Sequence, residues 1–119
     1  MPLADSVREH ISTLVSEHRV LLFMKGTRQA PRCGFSAAVV QALDELLPSY
    51  ESVDVLRSPE LRDGIKEFSS WPTIPQLYVN GNFVGGADIV RELHASGELA
   101  KLLGVERAKA TLPSITISD

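Results

Sequence analysis

Three features of the 119-residue sequence predict an α/β fold, a four-stranded mixed sheet flanked by helices. The continuous apolar run Val20-Leu21-Leu22-Phe23-Met24 suits a central strand buried on both faces. A helical pattern separates it from a second strand-like run, Tyr50 to Val55, so the two strands should be parallel and joined by a right-handed crossover. Asn80-Gly81, between two short apolar segments, marks a hairpin, because both central residues of a type I′ turn need positive φ. A hairpin beside a parallel pair gives a mixed sheet with helices on both faces.

The elements run in order. Ser6 to Glu17 reads as a helix with Ser6 and Glu9 as a capping box and Val7, Ile11, Leu14 and Val15 as its apolar face. His10 and His18 are expected at the surface. After the Val20–Met24 strand and a loop, Val39, Val40, Leu43, Leu46 and Leu47 line the buried face of a second helix that Pro48 ends. Ser58-Pro59 starts a third, Ser at the cap and Pro at the first position, with Leu61, Ile65 and Phe68 on one face. It should stop before Trp71-Pro72. Gln76 to Val79 and Asn82 to Val84 form the hairpin. Asp88 can cap a helix from Ile89 to Ser96, Gly97 ends it, and a short helix from Glu98 to Leu103 comes next. Residues 1–104 are expected to form one domain. The remainder, with Pro113 and the alternating Ile115-Thr116-Ile117, is expected to be a mobile tail or an added edge strand.

Composition narrows the function classes. Hydrophobic residues make up 44% of the chain, enough for one core. A net charge of -3 gives no basic balance toward nucleic acid. The cations are local, which points to a small anionic ligand. One cysteine excludes an internal disulfide and also a Cys-x-x-Cys pair, since the second position is Ser36. A reducing, intracellular compartment, the cytoplasm, is expected. No signal-like or spanning apolar stretch is visible, and the acidic Asp5 and Glu9 do not fit a transit segment.

The chemistry converges on Lys25-Gly26-Thr27-Arg28-Gln29-Ala30-Pro31-Arg32-Cys33-Gly34-Phe35-Ser36. Cys33 sits where a buried strand hands over to a helix. The first helical turn presents unpaired N–H groups and a positive dipole end, which favour a thiolate, the form that attacks disulfides and binds metal. Lys25, Arg28 and Arg32 are expected to push the same way. The plainer alternative is an inert buried cysteine, but Pro31, Gly34 and the nearby cations describe an exposed turn.

This order of elements is the thioredoxin-like architecture. Four blocks, Met24-Lys25-Gly26-Thr27, Pro31-Arg32-Cys33-Gly34-Phe35-Ser36, Trp71-Pro72-Thr73-Ile74-Pro75-Gln76 and Gly85-Gly86-Ala87-Asp88, resemble the monothiol glutaredoxins of the Cys-Gly-Phe-Ser class, in order and spacing, over roughly residues 5–103. The resemblance implies glutathione as ligand. Lys25 and Arg62 would meet the glycine carboxylate; for Arg62 the alternative is a solvated helix surface. Ile74-Pro75 resembles the cis peptide of the fold, and the Ile74 backbone, in the Thr73-Ile74 segment, would pair with the cysteinyl part like an added strand. The N–H groups at Gly86 and Ala87 would hold the γ-glutamyl carboxylate and Asp88 the ammonium. Phe35 would shield the thiol, and Trp71 would lie beside the site.

A [2Fe–2S] cluster usually takes four thiolates, and one chain offers only Cys33. Two chains with two glutathiones offer four. The resemblance therefore implies a homodimer bridged by the cluster with Cys33 as iron ligand, delivery to iron–sulfur apoproteins, and a BolA-like protein as a partner that replaces one subunit. The alternative is a glutathione-dependent disulfide oxidoreductase acting through Cys33. The long loop from Gly26 to Arg32 is associated in this class with weak thiol exchange. A third reading is a redox-regulated binding module docking through the tail or the Trp71 face. No nucleic-acid or membrane partner is expected.

Overall fold

The computed structural model describes residues 4–105. The elements run α1 (Asp5–Glu17), β1 (Val20–Met24), α2 (Gly34–Leu46), β2 (Glu51–Asp54), a 3₁₀ turn (Val55–Arg57), α3 (Pro59–Ser69), β3 (Gln76–Val79), β4 (Asn82–Gly85), α4 (Ala87–Ser96) and α5 (Glu98–Leu103). The sheet order is β2-β1-β3-β4, with β1 parallel to β2 and antiparallel to β3, and β3 antiparallel to β4. This is the four-stranded mixed sheet of the thioredoxin-like fold.

The period-2 alternation of β1 divides the core. Val20, Leu22 and Met24 point with Leu77 and Val79 toward α2, α4 and α5, where Val39, Leu43, Val90, Leu99 and Leu103 cover them. Leu21, Phe23 and Tyr78 point the other way, against Ile11 and Val15 of α1 and Leu61 and Ile65 of α3. Every residue of β1 is buried. A fully buried leucine stabilises by about 1.5–3 kcal/mol, so this strand is the rigid support for the loop after it.

Local signals explain most boundaries. Ser58 Oγ accepts from Leu61 N at 3.2 Å and Pro59 opens α3, as the Ser-Pro pair predicts. Asn80 and Gly81 have φ of 53° and 82°, the two positive values that a type I′ turn requires. Gly97 ends α4 in the left-handed region.

Three expectations give way. The Ser6 capping box does not form: α1 starts at Asp5 with Ala4 at the cap, so Ser6 lies within the first turn. β2 is shorter than Tyr50 to Val55, because the Asp54 carboxylate accepts from Leu56 N and bends the chain into the 3₁₀ turn. Asp88 does not cap α4, which begins at Ala87, two residues before the expected Ile89, with Gly86 in the cap position. Among the described residues no helix is long and apolar enough to cross a membrane. Val105 packs against the α2–α4–α5 face. The expected tail and its Ile115-Thr116-Ile117 alternation fall outside the described residues.

Candidate functional site

A cavity of about 490 Å³ opens at the C-terminal end of β1. One side is made by Lys25, Cys33 and Phe35, the floor by the segment from Trp71 to Pro75, the far side by Gly86, Ala87, Asp88 and Ile89, with Lys66 of α3 at the rim. Each wall has a cause in local chemistry.

Cys33 is the cap residue of α2, with extended φ and ψ of -154° and 137°, and no side chain closes that helix start with a capping bond. The thiol is half-buried. Burial opposes its ionisation, but the backbone amides of Ser36 and Phe35, the Lys25 ammonium and the Ser36 hydroxyl outweigh it and hold the pKa below the ordinary thiol value. Phe35 is 61% exposed, so it stands beside the thiol at the cavity mouth rather than in the core.

Lys25 is the loop cation that acts on the sulfur. Arg28, expected to act with it, is engaged elsewhere. Its Nε donates to Asp44 Oδ1 at 2.8 Å, its Nη2 to the Pro48 carbonyl at 3.3 Å, and its guanidinium lies 4.4 Å from the centre of the Tyr50 ring. The loop is thus clamped to the C-terminal part of α2. Arg32 contributes through its backbone, whose N–H donates to Lys25 O at 2.8 Å.

The floor is organised by Gln76, the last residue of the Trp71–Gln76 block and the first of β3, to which the sequence assigns no role. Gln76 is fully buried, and its amide nitrogen donates to the carbonyls of Trp71 and Thr73 at 3.2 and 3.1 Å while its oxygen accepts from the Tyr78 hydroxyl at 3.3 Å. A buried amide with both ends satisfied fixes the loop that it bonds. The Ile74–Pro75 bond is cis, as the resemblance implies. The Trp71 ring packs 5.8 Å from that of Phe83 and stays 37% exposed.

On the far side, the helix start at Gly86 is also left without a side-chain cap. A Cβ on Gly86 would stand 3.1 Å from Trp71 Nε1 and 3.3 Å from Pro75 O, so the absence of a side chain keeps this cradle open. The amides of α4's first turn are thereby available to an anion.

The structure therefore brings Lys25, Cys33, Phe35, Thr73, Ile74, Gly86, Ala87 and Asp88 to one cavity. Arg62 is not among the lining residues; it stands one turn before Lys66 on α3, with Asp63 at 3.8 Å. Lys66 was legible in principle, since residues four apart share a helix face. Among the described residues no group of three or more His, Cys, Asp or Glu could hold a metal ion.

Comparison with known proteins agrees with this geometry. The glutaredoxin family model matches residues 20–84. The chain is 54% identical over 101 residues to an uncharacterised monothiol glutaredoxin, ycf64-like, of Synechocystis sp., covering 85% of this chain and 94% of that one. It is 48% identical over 118 residues to the mitochondrial monothiol glutaredoxin-5 of Saccharomyces cerevisiae, covering 95% of this chain and 76% of that one. The solution structure of reduced poplar apo GrxS14 superposes with a TM-score of 0.74 at 46% identity, over 93% of this chain and 100% of that one. A solitary cysteine on an open helix start, in a chain that matches these proteins over most of its length, leads to one conclusion: this chain belongs to the glutaredoxin family, in its monothiol branch.

Proposed function

We propose that the chain carries a [2Fe–2S] cluster as cargo, ligated by Cys33 and a bound glutathione from each of two subunits, and hands it to iron–sulfur apoproteins. The observation that carries the reading is the composition of the cavity around Cys33. It offers one thiolate and no other metal-ligand cluster among the described residues, yet it has cations on one side and an open helix start on the other. A [2Fe–2S] cluster usually takes four thiolate ligands. A tripeptide thiol with a carboxylate at each end fits between those walls and supplies the sulfurs that the chain lacks.

The lining suggests the roles. Lys25, with Lys66 and Arg62 on α3, attracts the glycine carboxylate, each charge-assisted bond being on the order of 1.5–3 kcal/mol. The Ile74 backbone pairs with the cysteinyl part, with Thr73 beside it. Gly86 and Ala87 amides take the γ-glutamyl carboxylate, and Asp88 takes the ammonium. Phe35 and Trp71 shield the sulfur from water. Ligands held by such contacts exchange readily, which suits delivery over storage. A homodimer is the carrier state, and a BolA-like protein that replaces one subunit is the partner the family resemblance implies. Residues 1–104 act as the domain, in a reducing compartment such as the cytoplasm.

Glutathione-disulfide exchange is the second reading, favoured by the lowered thiol pKa. The Cys33 thiolate attacks the glutathionyl sulfur of a mixed disulfide and releases the substrate thiolate, which takes a proton. A second glutathione thiolate then attacks the Cys33–glutathione disulfide, forming glutathione disulfide and restoring Cys33.

Anaerobic reconstitution with iron, sulfide and glutathione tests the first reading. A visible charge-transfer chromophore is expected, lost in Cys33→Ser and on omission of glutathione. No chromophore with Cys33 intact contradicts it.

A further inference from the structure

We infer that Asp54, outside the cavity, is a positioning residue for the glycine-carboxylate wall, fixing Lys25 in register through the Lys25–Gly26 peptide. The inference rests on the reading that the cavity takes glutathione. Asp54 ends β2 directly beside Met24 of β1. Its Oδ1 accepts from Gly26 N at 2.9 Å and from Leu56 N at 3.0 Å. Lys25 is held from two other directions: its N–H donates to Ser36 Oγ at 3.1 Å, and its carbonyl accepts from Arg32 N at 2.8 Å.

The glycine next to Lys25 gives an outside anchor its value. Gly26 has φ of +93°, and a Cβ there would stand 2.6 Å from Ala30 O and from Arg32 N, so only glycine fits the turn. Glycine is also the residue that constrains its own backbone least. The peptide that aims Lys25 into the cavity is therefore set by its two bonds, Arg32 N on its carbonyl and the Asp54 carboxylate on its N–H, and only the second comes from outside the loop. The same oxygen bonds the 3₁₀ turn that leads into α3, the helix that carries Lys66 to the cavity rim. One carboxylate thus sets the spacing between two cationic contributors of a single wall. A residue that only stabilised the fold would lower binding of every ligand alike.

Titration calorimetry of the full chain with glutathione and with its glycyl monoethyl ester, which lacks the carboxylate charge, separates these roles. Asp54→Ala is expected to weaken glutathione binding about fivefold or more, the scale of a weakened charge-assisted bond. The ester, already the poorer ligand of the wild-type chain, is expected to change less than about twofold, because the bond that Asp54 supports is not made to it. Asp54→Asn keeps the oxygen without the charge and should fall between, both in affinity and in Gly26 amide hydrogen exchange. Unchanged glutathione affinity in Asp54→Ala, or equal losses for the two ligands, overturns the inference. If Asp54→Ala does not fold, Asp54→Asn decides: faster Gly26 exchange with wild-type affinity overturns it. A wild-type chain that binds neither ligand removes the functional reading itself, whereas wild-type binding without an Asp54 effect removes this inference alone.

Discussion

Helix α3 and the pair α2 and α4 begin in opposite ways. At α3 the orphan amides are met by the chain itself, with Ser58 Oγ on Leu61 N and Pro59 removing one donor. At α2 and α4 the cap positions hold Cys33 and Gly86, and neither start has a side-chain capping bond. These two open starts border the same cavity; Ser58 does not, nor do the uncapped starts of α1 and α5. Stability is served at the closed start and left uncollected at the two open ones, where free amides and the positive dipole end can act on a thiolate and a carboxylate.

The sharpest way to break the contrast is at α2. Cys33→Ser is expected to abolish cluster assembly, with loss of the visible absorption on reconstitution, while far-ultraviolet circular dichroism stays unchanged; retained absorption would refute the role of the sulfur. At α4, Gly86→Ala puts a methyl group 3.1 Å from Trp71 Nε1 and 3.3 Å from Pro75 O, so the cradle must shift by a few tenths of an ångström to take it. Glutathione affinity should fall about tenfold, on the scale of one charged hydrogen bond, measured by calorimetry. At α3 the sign reverses: Ser58→Ala should cost about 1 kcal/mol of stability in urea unfolding and leave glutathione affinity unchanged. The smallest effect concerns Lys25, the charge that helps hold the Cys33 pKa down. The wild-type thiol is deprotonated at lower pH than a free thiol, so its alkylation rate should reach half-maximum below the ordinary thiol range. Lys25→Gln should move that midpoint upward, because the mutation removes one of the charges that lower it. An unmoved midpoint would assign the shift to the amides and the hydroxyl alone.

Much of this is legible in the residue order. The bounds of β1, β3 and α5, the Asn80-Gly81 turn and the Ser58-Pro59 start obey local rules, because each is decided by residues adjacent in the chain. Cys33, Lys25 and the Trp71–Gln76 and Gly85–Asp88 blocks come from motif spacing. The illegible part depends on distant partners. Arg28 looks like a cation for the site until Asp44, Pro48 and Tyr50 claim it. Gln76 reads as the end of a motif and the start of a strand, and only the fold shows both ends of its amide bonded. Asp54 reads as a strand residue, whereas its side chain ends that strand and reaches across to Gly26. Asp88 and Ser6 mislead for one reason: a residue of capping type caps only if it stands in the cap position, and each lies inside its helix.

Native mass spectrometry of the anaerobically reconstituted protein tests the central claim most directly, because it counts the ligands that one chain cannot supply. The account predicts a species of two chains, one [2Fe–2S] cluster and two glutathiones, falling apart to single chains when glutathione is removed. A cluster-loaded species without glutathione, or a single chain holding the cluster alone, would contradict it.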